Sequence, residues 1–114
     1  MIQVYGIKNC DTMKKAFKWL EESDIPYEFH DYKKGALNEA LLDQWINTLG
    51  WEALANKRGT TWRKLSEEEK NSMSDALAKK VLLESPSIIK RPLIVKEENI
   101  ILGFKAEEYQ KIFS

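Results

Sequence analysis

One cysteine, Cys10, is all the thiol that this 114-residue chain contains. A lone thiol cannot close a disulfide within the chain or build a structural zinc site, so any redox chemistry draws its second thiol from outside. The one histidine, His30, has no Cys or His companion at metal-ligand spacing, and no metal is expected. Long apolar runs are missing as well. None approaches the roughly 20 residues of a membrane span, and short pieces such as Pro92 to Val95 read as strands. Nor is there an excess charge of either sign. Eighteen Lys and Arg balance eighteen Asp and Glu, so no global field draws in nucleic acid or a membrane surface, and any anion binding has to be local. Gly6 and Gly50 stand alone, which excludes a glycine-rich phosphate loop.

What is present suits a folded globule. Hydrophobic residues make up 43% of the chain and aromatics 11%, enough for apolar burial to drive folding. The length fits a single domain, residues 1–114. Ile2 and Val4 alternate with Gln3 and Tyr5 up to Gly6, which predicts a first strand. Met13, Ala16, Phe17 and Leu20 then recur at helical spacing, and Tyr27 to His30 alternates again beyond the break at Asp24 and Pro26. This βαβ order favours a parallel pair.

From about residue 34 to 85 the period is helical, a subdomain insert with no linker at either border. Asn38 is a plausible N-cap for a helix that Gly50 closes, and Ser66 to Glu69 forms a capping-box pattern that opens one further helix or two short ones. The last third reads as a hairpin, Leu93–Val95 and Ile100–Leu102 around a polar turn, followed by a short helix through Ala106, Tyr109, Ile112 and Phe113. Trp19, Trp45, Trp51 and Trp62 fall at helical spacing and are read as packing residues. The fold class is α/β, a mixed sheet flanked by helices with a helical insert.

Chemistry points to Cys10. It sits in Gly6-Ile7-Lys8-Asn9-Cys10-Asp11-Thr12, between a strand and a helix start, where backbone N–H groups lack intrahelical partners. Such a position, with Lys8 near by, favours the thiolate, and Asp11 opposes it. Two other segments carry guanidinium groups that would suit a common anion site, Arg58-Gly59-Thr60-Thr61-Trp62-Arg63 and Ile89-Lys90-Arg91-Pro92.

Together, Tyr5–Thr12, Arg58–Leu65 and Ile89–Leu93 resemble, in order, the motifs of the arsenate-reductase-like (ArsC/Spx) family in the thioredoxin-fold superfamily, most closely its YffB-like branch. The resemblance implies a thioredoxin-like fold with a four-stranded mixed sheet. It also implies a cysteine nucleophile at Cys10, with Lys8, Asn9, Asp11 and Thr12 as its surroundings. Arg58 and Arg91 would hold an anion, and a cis-proline at Pro92 would face glutathione. One departure is visible. The third anion-binding arginine of the family falls where this chain has Phe104, followed by Lys105, so a weaker grip on arsenate is expected. Met13 occupies the position of the second thiol of dithiol relatives, which leaves resolution to glutathione.

The expected function is therefore a glutathione-dependent thiol oxidoreductase. It would act on a small oxyanion or an oxidised thiol, with glutathione as co-substrate rather than any bound cofactor, and with glutaredoxin as a further partner. A monomer in the cytoplasm is expected, since Met1 to Gly6 alternates like a strand rather than opening a secretory signal. The alternative is an Spx-like transcriptional regulator that binds RNA polymerase without turnover.

Overall fold

The structure is a computed structural model that describes residues 1–113. The chain divides into two compact units: a sheet unit formed by residues 1–36 and the chain from Arg91 onward, and a helical unit, Leu37–Lys90.

In the sheet unit, β1 (Ile2–Gly6) leads to α1 (Asp11–Glu22) and β2 (Tyr27–Asp31), and β1 and β2 pair in parallel with Val4 opposite Phe29. After the helical unit, β3 (Leu93–Lys96) pairs antiparallel with both β1 and β4 (Asn99–Leu102), giving the order β2-β1-β3-β4. The polar turn expected in the hairpin is a tight one, with Glu97 at φ 57°.

The core of this unit follows from the two periodicities. Val4 of β1, Ile94 of β3, Met13, Ala16 and Leu20 of α1, and Tyr109 of the terminal helix are completely buried in one cluster. Each large apolar side chain there contributes about 1.5–3 kcal/mol on burial. The terminal helix spans Ala106–Phe113, and the Tyr109 hydroxyl donates to the Gly103 carbonyl at 2.6 Å, so the buried phenol keeps a partner. Gly6 lets α1 lie close to β1: a Cβ there would meet Met13 Sδ at 2.6 Å and Cε at 2.8 Å.

The helical unit begins with α2 (Glu39–Leu49), where Asn38 Oδ1 accepts from the Leu41 N–H at 2.9 Å. Gly50, at φ 84°, ends it, as its position in the sequence predicts. The Ser66 capping box is formed, and two helices follow it: α5 (Glu67–Asn71) and α6 (Asp75–Glu84). Met73 lies in the gap between them, and Ser74 caps the second.

Two single turns, α3 (Trp51–Leu54) and α4 (Thr60–Arg63), lie within the stretch read as helical, but four residues are too few for the period to mark them as separate elements. Leu42, Trp45, Leu54, Leu82, Ile88 and Ile89 fill the core of this unit. Near its end the chain folds back on α3: Asn56 N–H donates to Ile88 O and Lys90 N–H to Leu54 O, both at 2.7 Å, across an Ala55–Ile89 bridge. Among the described residues, no helix is long and apolar enough to cross a membrane.

Candidate active site

Cys10 is the N-cap of α1, with extended backbone (φ −119°, ψ 132°), and its carbonyl accepts the Lys14 N–H at 3.0 Å. Its side chain makes no capping hydrogen bond, and it lies at a helix start where first-turn N–H groups have no carbonyl to pair with. The backbone N–H groups of Met13 and Thr12 and the Arg91 side chain all favour the ionised form of the sulfur. Burial is the largest single influence on the thiol and pushes its pKa up. The Met13 N–H, the Arg91 side chain, the Thr12 N–H and the Arg91 positive charge together outweigh it, so the net direction is downward, toward the thiolate.

Arg91 is half-buried and immediately precedes β3. The Arg91–Pro92 peptide is cis, the isomer that the resemblance implies, and the buried Pro92 accepts the Gly103 N–H on its carbonyl at 2.9 Å. Cys10, Thr12 and Arg91 thus meet at one end of the sheet unit. Lys8 and Asn9 are exposed in the turn before the helix, and Asp11 is exposed at its first position. The cation that acts on the sulfur is Arg91.

Arg58 belongs to the helical unit, where it is exposed and its N–H donates to Asn56 Oδ1 at 3.2 Å. Phe104 is a packing residue. Its ring meets Tyr109 edge to face at 4.9 Å between centroids and joins the sheet-unit core, while Lys105 is exposed beside Glu108 at 3.9 Å.

Two buried tyrosines, Tyr5 and Tyr32, carry no site role in the sequence pattern. Tyr32 opens a 3-10 turn (Tyr32–Lys34) just after β2 and is 6% exposed. Burial pushes its hydroxyl pKa up strongly and the Tyr5 hydroxyl adds to that, while the Arg91 charge opposes both. Tyr5 is buried at the end of β1, stacked on His30 at 4.6 Å, and is itself raised by burial and then by the Glu28 charge. Both phenols therefore stay protonated where the thiol ionises. In the sequence Tyr5 belongs to the strand pattern and its motif, Tyr32 is only an aromatic residue after a strand, and nothing marks Tyr32 as lying within reach of the Arg91 charge. His30 pairs with Gln3 Oε1 and serves packing and hydrogen bonding on β2. Among the described residues, no group of His, Cys, Asp and Glu stands ready to hold a metal.

A four-stranded mixed sheet in this order, with a cysteine capping the first helix and a cis-proline leading into the third strand, defines a thioredoxin-like fold with a single-thiol site. Within that class the chain belongs to the ArsC family, whose model matches residues 5–112. It is 48% identical, over the full length of both chains, to an uncharacterized protein of Haemophilus influenzae. It is similar to the solved structure of a protein described as YffB, with a TM-score of 0.94 and 40% identity over the whole of both chains. It is also 29% identical to the global transcriptional regulator Spx of Listeria innocua, covering 97% of this chain and 86% of the relative.

Proposed function

We propose that this protein is a glutathione-dependent thiol oxidoreductase of the cytoplasm, related in mechanism to arsenate reductases, with Cys10 as its nucleophile. The observation that carries the reading is the thiol itself, drawn toward the thiolate by two helix-start N–H groups and by Arg91 despite its partial burial. A thiol that had only to pack would gain nothing from that arrangement.

The cycle runs with one protein thiol. The Cys10 thiolate attacks the glutathione sulfur of a substrate held as a mixed disulfide; the S–S bond breaks, and the substrate leaves as a thiolate that takes up a proton. A second glutathione thiolate then attacks the Cys10–glutathione disulfide, releasing oxidised glutathione and restoring the Cys10 thiolate. Arg91 stabilises negative charge at the sulfur, and the proposal gives Arg58 the second anion-holding role that the resemblance assigns to it. A small oxyanion is the other substrate class. With Phe104 committed to the core, the grip on arsenate is expected to be weaker than in a three-arginine site. Glutaredoxin is proposed as a partner whose thiolate takes over the glutathionyl group by attack on the Cys10–glutathione disulfide, releasing the Cys10 thiolate, and the chain is proposed to act as a monomer.

The direct test is intact-mass analysis after incubation with oxidised glutathione. One glutathionyl group is expected on the wild type and none on Cys10→Ser; an unmodified wild type would remove the reading.

The similarity to Spx over nearly the whole chain supports a second reading, a regulator that binds RNA polymerase without turnover. Retention of RNA polymerase on the immobilised protein, together with a wild type that forms no adduct, would establish it in place of the first.

A further inference from the structure

The helical unit carries a concave feature to which the thiol chemistry assigns no role. A cleft of about 430 Å³ is lined by Glu52, Ala55, Asn56, Lys57, Arg58 and Lys90. Its volume falls within the roughly 300–1,000 Å³ of small-molecule sites. The walls are fixed by the backbone pairing of Leu54 and Asn56 with Ile88 and Lys90, which brings Lys90 beside the Lys57–Arg58 turn. The turn is tight, because the Gly59 N–H returns to Asn56 O at 3.1 Å and a Cβ on Gly59 would press on that carbonyl at 3.3 Å.

The charges are unbalanced. Lys57 lies over the stacked Trp51 and Trp62 rings, at 5.1 and 5.9 Å from their centroids, and faces Glu52 at 3.7 Å. Among the described residues, neither Arg58 nor Lys90 forms an ion pair. Three cations and one carboxylate around a cleft of this size fit an organic zwitterion: carboxylates for Arg58 and Lys90, and an ammonium for Glu52. A bare tetrahedral anion would leave most of the volume empty.

We propose that this cleft binds the charged groups of a γ-glutamyl thiol of the glutathione type, with Lys90 and Arg58 as contacts for its carboxylates. The inference rests on the glutathione-dependent reading and names the part of the co-substrate that is recognised. Arg58 borders the same cleft, so its loss would weaken anion holding in either role. Lys90 belongs to the cleft alone, and its exposed side chain can be changed without touching its backbone bond to Leu54.

The test uses S-methylglutathione, which cannot exchange disulfides, and the full-length Cys10→Ser protein, followed by amide chemical shifts. Saturable shifts are expected at Asn56, Lys57, Arg58 and Lys90, with a Kd at least tenfold weaker in Lys90→Glu and no binding by the diethyl ester of the same ligand. Shifts confined elsewhere, an undiminished affinity in Lys90→Glu, or equal binding of the ester, which lacks both carboxylates, would overturn the proposal. Because this probe lacks a thiol, the two readings fail separately. Adduct formation at Cys10 without shifts in the cleft removes the inference alone; shifts without an adduct remove the enzyme reading and leave the zwitterion site.

Discussion

Arg91 supplies two of the four influences that draw the Cys10 thiol down, its hydrogen bond and its charge, against a burial effect that pushes the other way. Removing it in Arg91→Ala is expected to raise the apparent thiol pKa toward or beyond the ordinary value of about 8.5, with alkylation at neutral pH slowed about tenfold per unit of rise. The rate of iodoacetamide modification across pH 5–10 reads this directly, and an unchanged profile would take the thiolate away from Arg91. The same shift has a stability counterpart. A thiol whose pKa is lower in the folded than in the unfolded state lends stability that is full above the unfolded value and disappears as pH falls through the folded one. The stability of wild type relative to Cys10→Ser is therefore expected to grow in urea unfolding as pH rises toward the unfolded thiol value of about 8.5. Cys10 and Arg91 were legible as residue types at marked positions. The unpaired N–H groups of the helix start were legible as well; which of them act on the sulfur, Met13 and Thr12, was not, since that depends on how the first turn is aimed. Lys8 had the right charge and adjacency, yet it is exposed on the turn.

Elements were readable wherever burial imposed a period on them. The stripe Met13, Ala16, Leu20 is fully buried on α1, and the alternation of Ile2 and Val4 is buried on β1, so the parallel pair and the hairpin emerge from pattern alone. The single turns α3 and α4 and the split between α5 and α6 are set by local hydrogen bonding and by contacts within the helical unit, which leave no mark on a hydrophobic period. Between α1 and β1 the packing itself is testable. In Gly6→Ala the added methyl meets the thioether end of Met13, a flexible group that is nonetheless fully buried, so the cost should sit at the low end for overpacking, about 1 kcal/mol. Urea unfolding measures it. A loss near zero would show that Met13 has room to turn aside, and a loss above about 3 kcal/mol would mean that α1 itself has to move.

At the scale of the whole molecule, balanced charge removes any strong long-range field, and the response to pH is carried by a few buried groups. All four tyrosines, Tyr5, Tyr27, Tyr32 and Tyr109, have their pKa raised, with burial the largest cause in each. A phenol raised on folding lends stability that is complete below its unfolded pKa of about 10 and is lost as pH climbs through the folded value. Stability should accordingly decline above pH 10, by about 1.4 kcal/mol per pH unit for each tyrosine held fully neutral. Tyr32 isolates the effect, because its buried hydroxyl has no hydrogen-bond partner among the described residues. An unsatisfied buried hydroxyl costs about 1–3 kcal/mol, so Tyr32→Phe should be at least as stable as wild type at pH 7, by up to about 1 kcal/mol. Its advantage should then widen with each unit above pH 10, because the unfolded variant has one phenol fewer to ionise. Denaturant unfolding of the two proteins at pH 7, 10 and 11 decides the matter. Parallel curves would mean that the Tyr32 hydroxyl ionises as easily folded as unfolded, and a variant less stable at pH 7 would mean that the hydroxyl holds a bound water whose hydrogen bonds outweigh its burial.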